Sequence, residues 1–199
     1  MGNAYCRRLA VSILLVLATP LAAQAYSDSY TFLKAVKERD GEKVQTLIAT
    51  PGSVVINTRD RTNGEGALHY LVRERDVNWV SFLLGRGARP DLQSNRGDTP
   101  LTLAAQMGWS EGAQVLIARR ATVDLANGRG ETPLIIAVQR RDMPMIRLLL
   151  GAGANPKRTD NVAGLSAIDY ARRDPRAAQI LRMLETPVAP RREAAGPIR

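Results

Sequence analysis

The chain has 199 residues, 45% hydrophobic and 24% charged; both are near globular averages, which excludes a collagen-like, coiled-coil or wholly disordered polypeptide and leaves one compact domain or a short solenoid. Its 28 Lys and Arg against 19 Asp and Glu give a formal charge of +9. One Cys and one His leave almost no material for a metal cage or a nucleophilic triad.

At the N-terminus, Arg7 and Arg8 precede an apolar run from Leu9 to Ala18, a Pro follows at Pro20, and Ala23-Gln24-Ala25 places small side chains where a signal peptidase reads them. The pattern predicts an export signal over residues 1–25, cleaved before Tyr26. An uncleaved anchor is the alternative, but the run falls well short of the roughly 20 apolar residues that span a bilayer. Cys6 precedes the run, whereas a lipid-bearing Cys would follow it, so it is expected to leave with the signal. Loss of Arg7 and Arg8 then lowers the charge to +7 and leaves a Cys-free domain, suited to an oxidising compartment such as a bacterial periplasm. Leu9, Ala10 and Val11 do not continue a twin-arginine motif, so general export is expected.

Downstream, Thr99-Pro100-Leu101 recurs 33 residues later as Thr132-Pro133-Leu134, with looser copies at Gly66-Ala67-Leu68-His69 and Ser166-Ala167-Ile168-Asp169. Two residues ahead of each copy stands a glycine, at Gly64, Gly97, Gly130 and Gly164; Gly87-Ala88, Arg120-Ala121 and Gly153-Ala154 close the units that follow. Thr99 and Thr132 suit helix N-caps, and Pro100 and Pro133 the first helical position, where a missing N–H costs nothing. Leu101, Ala104 and Ala105 share one narrow face of a first helix. Second helices carry the bulkier Val80/Phe82/Leu83/Leu84, Val115/Leu116/Ile117 and Ile146/Leu148/Leu149/Leu150, predicted core, with Trp79 among them. Gly87 and Gly153 suit the left-handed residue that ends a helix, and the tip glycines suit turns with positive φ. Arg120 replaces the helix-ending glycine, at a cost of about 1 kcal/mol if that conformation is kept.

These residues resemble the ankyrin repeat, whose T-P-L-H-x-A box, L-L-L run and G-A-x-x-N/D ending stand here in register from about Ser29 to Glu185. The resemblance implies an all-α solenoid of about five helix-turn-helix units with β-hairpin or loop fingers. The units fall near residues 29–57, 58–91, 92–124, 125–157 and 158–186, within a domain at 26–186. In the first, Phe32 to Val36 and Val44 to Ile48 match the two helices and Asn57 the closing Asn. That unit lacks Thr-Pro and is longer near Pro51-Gly52-Ser53, as a cap would be. His69 alone holds the box histidine; Thr102, Ile135 and Asp169 replace it, so the bridge that this His implies between neighbours is expected once, as a structural contact and not a ligand. Residues 187–199 hold three Pro and three Arg without apolar periodicity and read as a disordered, solvated end, with a docking peptide as the alternative.

No catalytic, cofactor or metal residues are expected. Asn127-Gly128-Arg129-Gly130 is a finger turn lacking the strand and acidic residue of a dinucleotide site, and Ser110, Glu111, Asp169 and Tyr170 have no His beside them. The resemblance implies instead a non-catalytic protein-binding module working through its concave face and finger tips. The exposed positions carried over include Arg73, Arg96, Met107, Trp109, Arg129, Gln139, Arg140, Arg172 and Arg173. Arg73, Arg140, Arg172 and Arg173 form an expected basic ridge, Arg96 and Arg129 share one fingertip position, and Met107 with Trp109 offers an apolar anchor. The alternatives are a solvated basic face and Trp109 packed on a neighbouring repeat. The expectation is a monomeric periplasmic adaptor, inhibitor or protective partner for a protein with an acidic surface. A binder of polyanions or anionic membrane is the second reading; interspersed charges and no aromatic platform argue against nucleic acid.

Overall fold

The computed structural model describes residues 21–49 and 54–186, with side chains from residue 28 onward. The expected signal, apart from its last residues, the segment at 50–53 and the tail at 187–199 lie outside the described residues. Ten α-helices follow one another among them: α1 (Leu21–Glu38), α2 (Gly41–Ala49), α3 (Ala67–Arg73), α4 (Val77–Gly85), α5 (Pro100–Met107), α6 (Ser110–Ala118), α7 (Pro133–Gln139), α8 (Met143–Gly151), α9 (Ala167–Arg173) and α10 (Ala178–Glu185). They pair into five helix-turn-helix units. No β-strand occurs among the described residues and only Thr159 and Ser166 form an isolated bridge, so the fingers are tight turns, not hairpins.

The helix starts follow from their caps. Thr99 Oγ1 accepts from Thr102 N at 3.0 Å, Thr132 Oγ1 from Ile135 N at 3.3 Å and Ser166 Oγ from Asp169 N at 3.2 Å. Pro100 and Pro133 occupy the first helical position, as the sequence predicts. Second helices carry caps of their own: Asp76 and Asp142 accept from Trp79 N and Met145 N, each at 3.0 Å.

Odd-numbered helices stack in one layer from α1 to α9, and α4, α6 and α8 stack in a second. The core runs between them. Leu71, Leu83, Leu101, Leu116, Leu134, Met145, Ile146 and Leu149 are fully buried, each contributing about 1.5–3 kcal/mol of apolar transfer. Buried Ala104, Ala105, Ala137 and Ala171 let the odd helices approach closely. Trp79 is only half-buried, edge-on to Phe82 at 5.4 Å between ring centroids, because it lies toward the outer side of α4 and not on its core stripe.

Arg120 does adopt the left-handed conformation, φ 65°, beside Gly87 at 92° and Gly153 at 90°. The same hydrogen-bond pattern closes all three helices: Ala88 N to Leu83 O, Ala121 N to Leu116 O and Ala154 N to Leu149 O, each 3.0 Å. Three further arginines, Arg39, Arg75 and Arg141, are left-handed at the ends of α1, α3 and α7, where the third unit has Gly108.

Neighbouring units are tied at regular intervals. The closing Asn or Asp accepts a backbone N–H from the next unit: Asn57 from Arg89 at 2.7 Å, Asp91 from Thr122 at 2.8 Å and Asp124 from Asn155 at 3.1 Å. His69 bridges as expected, its Nε2 2.9 Å from Asp98 O in the following finger while Nδ1 accepts from Gly66 N at 3.1 Å. Thr102 and Asp169 instead turn back to Thr99 and Ser166 in their own units.

Candidate interaction face

The fingers lie one on the next, joined by single backbone bonds: Asn95 N to Asn63 O at 2.9 Å, Gly128 N to Arg96 O at 2.9 Å and Asn161 N to Arg129 O at 2.8 Å. Gly97 is required there twice over. Its φ is 76°, and an added Cβ would stand 2.4 Å from Gly128 N. This backbone ladder fixes the spacing at which the tips present side chains.

At the base of each central finger sits a buried carboxylate: Glu65, Asp98 and Glu131 are 3%, 5% and 8% exposed. These acids claim one arginine of the predicted ridge and both predicted fingertip arginines. The Arg73 guanidinium forks onto both oxygens of Glu65; burial pushes the Glu65 carboxyl up, yet this partner outweighs it and the net shift is downward. Arg96 lies 3.3 Å from Asp98, and Arg129 donates to Glu131, with Nη2 2.6 Å away. Gln106 Nε2 adds a bond to Asp98 at 3.0 Å and Asn127 Nδ2 one to Glu131 at 3.0 Å. In the last unit Arg172 pairs with Glu185 at 2.8 Å. Arg140 and Arg173, one unit apart at the ends of α7 and α9, are exposed and make no ion pair among the described residues. Of the four-arginine ridge read from the sequence, Arg73 and Arg172 are internally paired and Arg140 and Arg173 are open, while both fingertip arginines are paired.

Gln139 is exposed beside Arg140, and Met107 is half-buried against the core, its carbonyl accepting from Arg75 Nη2 at 2.7 Å. Trp109 is not an exposed anchor. It is 5% exposed, caps α6 and folds its ring over Gly112, where an added Cβ would fall 2.1 Å from the indole. Gly112 three residues on is the sequence signal for this, since a bare backbone one turn along makes room for a ring.

Two further features escaped the sequence reading. Tyr70 and Tyr170 each donate to an aspartate ten residues upstream, Asp60 and Asp160, at 2.7 Å. Hydrogen bonds from Thr62 and Tyr70 hold the Asp60 carboxyl down at about 2. Arg39 Nε reaches Asp76 of the next unit at 2.7 Å, and Arg141 reaches Asp174 in the same way. Among the described residues no three His, Cys, Asp or Glu gather to hold a metal, and no helix is long and apolar enough to cross a membrane.

Comparison with known proteins matches these units directly. A family model described as ankyrin repeats, three copies, covers residues 32–127, and the single ankyrin repeat covers 129–161. An ankyrin repeat-containing protein of Treponema pallidum is 38% identical over 110 residues, 55% of this chain and 37% of its own length. The rice potassium channel AKT1 is 39% identical over 74 residues, 37% of this chain and 8% of the channel. The Drosophila melanogaster nuclear factor NF-kappa-B p110 subunit is 35% identical over 52 residues, 26% of this chain and 5% of that protein. The chain thus spans a minor part of the curated relatives it matches, and the likeness lies in the repeats. Repeat boxes, capped helix pairs and stacked fingers agree with both matches: the chain belongs to the ankyrin repeat family, whose repeats are protein–protein interaction modules.

Proposed function

We propose that this protein is a monomeric periplasmic interaction module, acting as adaptor, inhibitor or protective partner of a protein with an acidic surface, and that Arg140 and Arg173 are the charges that meet it. The observation carrying this reading is the division of the arginines: those at Arg73, Arg96, Arg129 and Arg172 already have a carboxylate, and Arg140 and Arg173 have none among the described residues. Exposed guanidinium groups on adjacent units steer an acidic surface and fork onto its carboxylates without first breaking an internal pair. Gln139 and the exposed part of Met107 flank them. Internal pairing also weakens the case for polyanions, since four of the six arginines named already hold a carboxylate.

Association kinetics test the assignment on a partner captured from a periplasmic extract. Reversing Arg140 and Arg173 to Glu should slow association several-fold and flatten its salt dependence. Reversal of the tail residues Arg191 and Arg192 changes net charge equally and should do far less. Equal effects would mean diffuse electrostatics and no defined face.

A further inference from the structure

The outer layer of even-numbered helices is close-packed only in its middle, and both of its ends are looser. α4 packs on α6 and α6 on α8, but α10 stands off from α8. The turn before α10 also differs from those of the central units. In the three central units Glu74 to Asp76, Gly108 and Trp109, and Arg140 to Asp142 join the helix pair, each turn containing one left-handed residue. Asp174 to Ala177 is longer and has no left-handed residue; Pro175 holds Asp174 in an extended conformation, φ −99° and ψ 110°.

The gap is a groove with an apolar floor and a cationic rim. Leu150 is buried beneath it, Met183 is half-buried along one side, and Gly151 contributes bare backbone, an added Cβ meeting nothing within 4 Å. Arg147 from α8 and Arg182 from α10 stand exposed across it from one another, and neither pairs with a carboxylate among the described residues. The nearest acid in sequence, Glu185, is already held by Arg172. Thr186 closes the end.

Charge selects the occupant. A second copy would bring the same two arginines to the rim. Residues 187–199 carry Arg191, Arg192 and Arg199 against Glu193 as their only acidic side chain, the same sign as the rim. We propose that the α8–α10 groove docks an amphipathic acidic segment of a partner protein, with a bulky apolar side chain seated on Leu150, Gly151 and Met183 and carboxylates on either side held by Arg147 and Arg182. The apolar seat sets residence and the two guanidinium groups set encounter and polarity. This surface lies on the outer helices, apart from the finger face, and stands or falls independently of Arg140 and Arg173.

Two synthetic 15-residue helical peptides serve as probes, one with Leu along one face flanked by Glu and one with Lys in place of every Glu. Titrated into the isotope-labelled chain, the Glu peptide should shift the Gly151, Gln179 and Thr186 amides and bind at least tenfold tighter than the Lys peptide. Gly151→Trp fills the groove from a position with open space and should weaken the Glu peptide at least tenfold while urea stability is kept. Arg147→Glu with Arg182→Glu gives the same loss without touching the floor. The proposal is overturned by binding of neither peptide, by equal binding of both, or by shifts confined to the finger face. It is equally overturned by a dimer that Gly151→Trp dissolves, or by groove amides that move when the chain is stopped after Thr186, since these put a second copy or the tail in the groove.

Discussion

Replacing Arg120 with Gly should stabilise this fold, and the structure sets the size of the gain. Arg120 holds φ 65° at a helix end, is exposed and makes no ion pair among the described residues, so it contributes strain and no visible compensation. A non-glycine residue in the left-handed region costs about 1–2 kcal/mol. Glycine removes that cost but adds about 0.5–1 kcal/mol of unfolded-chain entropy, leaving a net gain of about 0.5–1 kcal/mol. Urea and thermal melts should show the midpoint rising, by about 1–4 °C in the thermal case for a chain of this size. Arg39→Gly is the internal control. Arg39 has φ 61° but also binds Asp76 and Val36 O at 2.7 and 2.8 Å and lies 5.8 Å from the Trp79 ring centre. Losing those half-buried contacts outweighs the strain relieved, so Arg39→Gly should lower stability. An unchanged or less stable Arg120→Gly, or an equal gain in Arg39→Gly, would refute the strain argument.

His69 should make stability depend on pH. Burial lowers its pKa, and protonation of Nδ1 would break the bond from Gly66 N. A depressed His pKa gives stability that is present above about 6.5 and lost as pH falls below it, so urea midpoints should drop from pH 7.5 to 5.5, and His69→Gln should flatten that slope. Trp109→Ala should cost about 3–5 kcal/mol, a loss measured in urea melts of the isolated chain, where an exposed anchor would cost almost nothing. Intact mass of the exported chain should begin at Tyr26; a chain retaining Met1 or Gly2 in the cytosol would remove the periplasmic assignment.

The sequence was legible where one residue type has one physical use. Thr-Pro starts, tip glycines and the Leu-rich second helices gave the number and order of units because caps, positive φ and apolar faces are local requirements. What it concealed was pairwise. Arg73 and Glu65 are eight residues apart, and only the folding of the finger back on α3 makes them partners; Arg172 meets Glu185 only because α10 packs on α9. A basic ridge read from exposed positions therefore overcounted its open charges. Trp109, read either as an outward anchor or as packed on a neighbouring repeat, is buried for a related reason: Gly112 of its own unit offers the ring a closer place. The left-handed arginines at the ends of first helices were missed because only glycine announces that conformation in a sequence, whereas here Asp76 and Asp174 of the following units hold Arg39 and Arg141 in place.

The central claim, that a protein partner docks through Arg140 and Arg173, is tested most directly by capture from a periplasmic extract on three immobilised chains: unaltered, Arg140→Glu with Arg173→Glu, and Arg191→Glu with Arg192→Glu. One acidic protein retained in stoichiometric amount by the first and third and lost from the second is the predicted result. Retention by all three alike, or binding to polyanion resin with no protein partner on any of them, would contradict it.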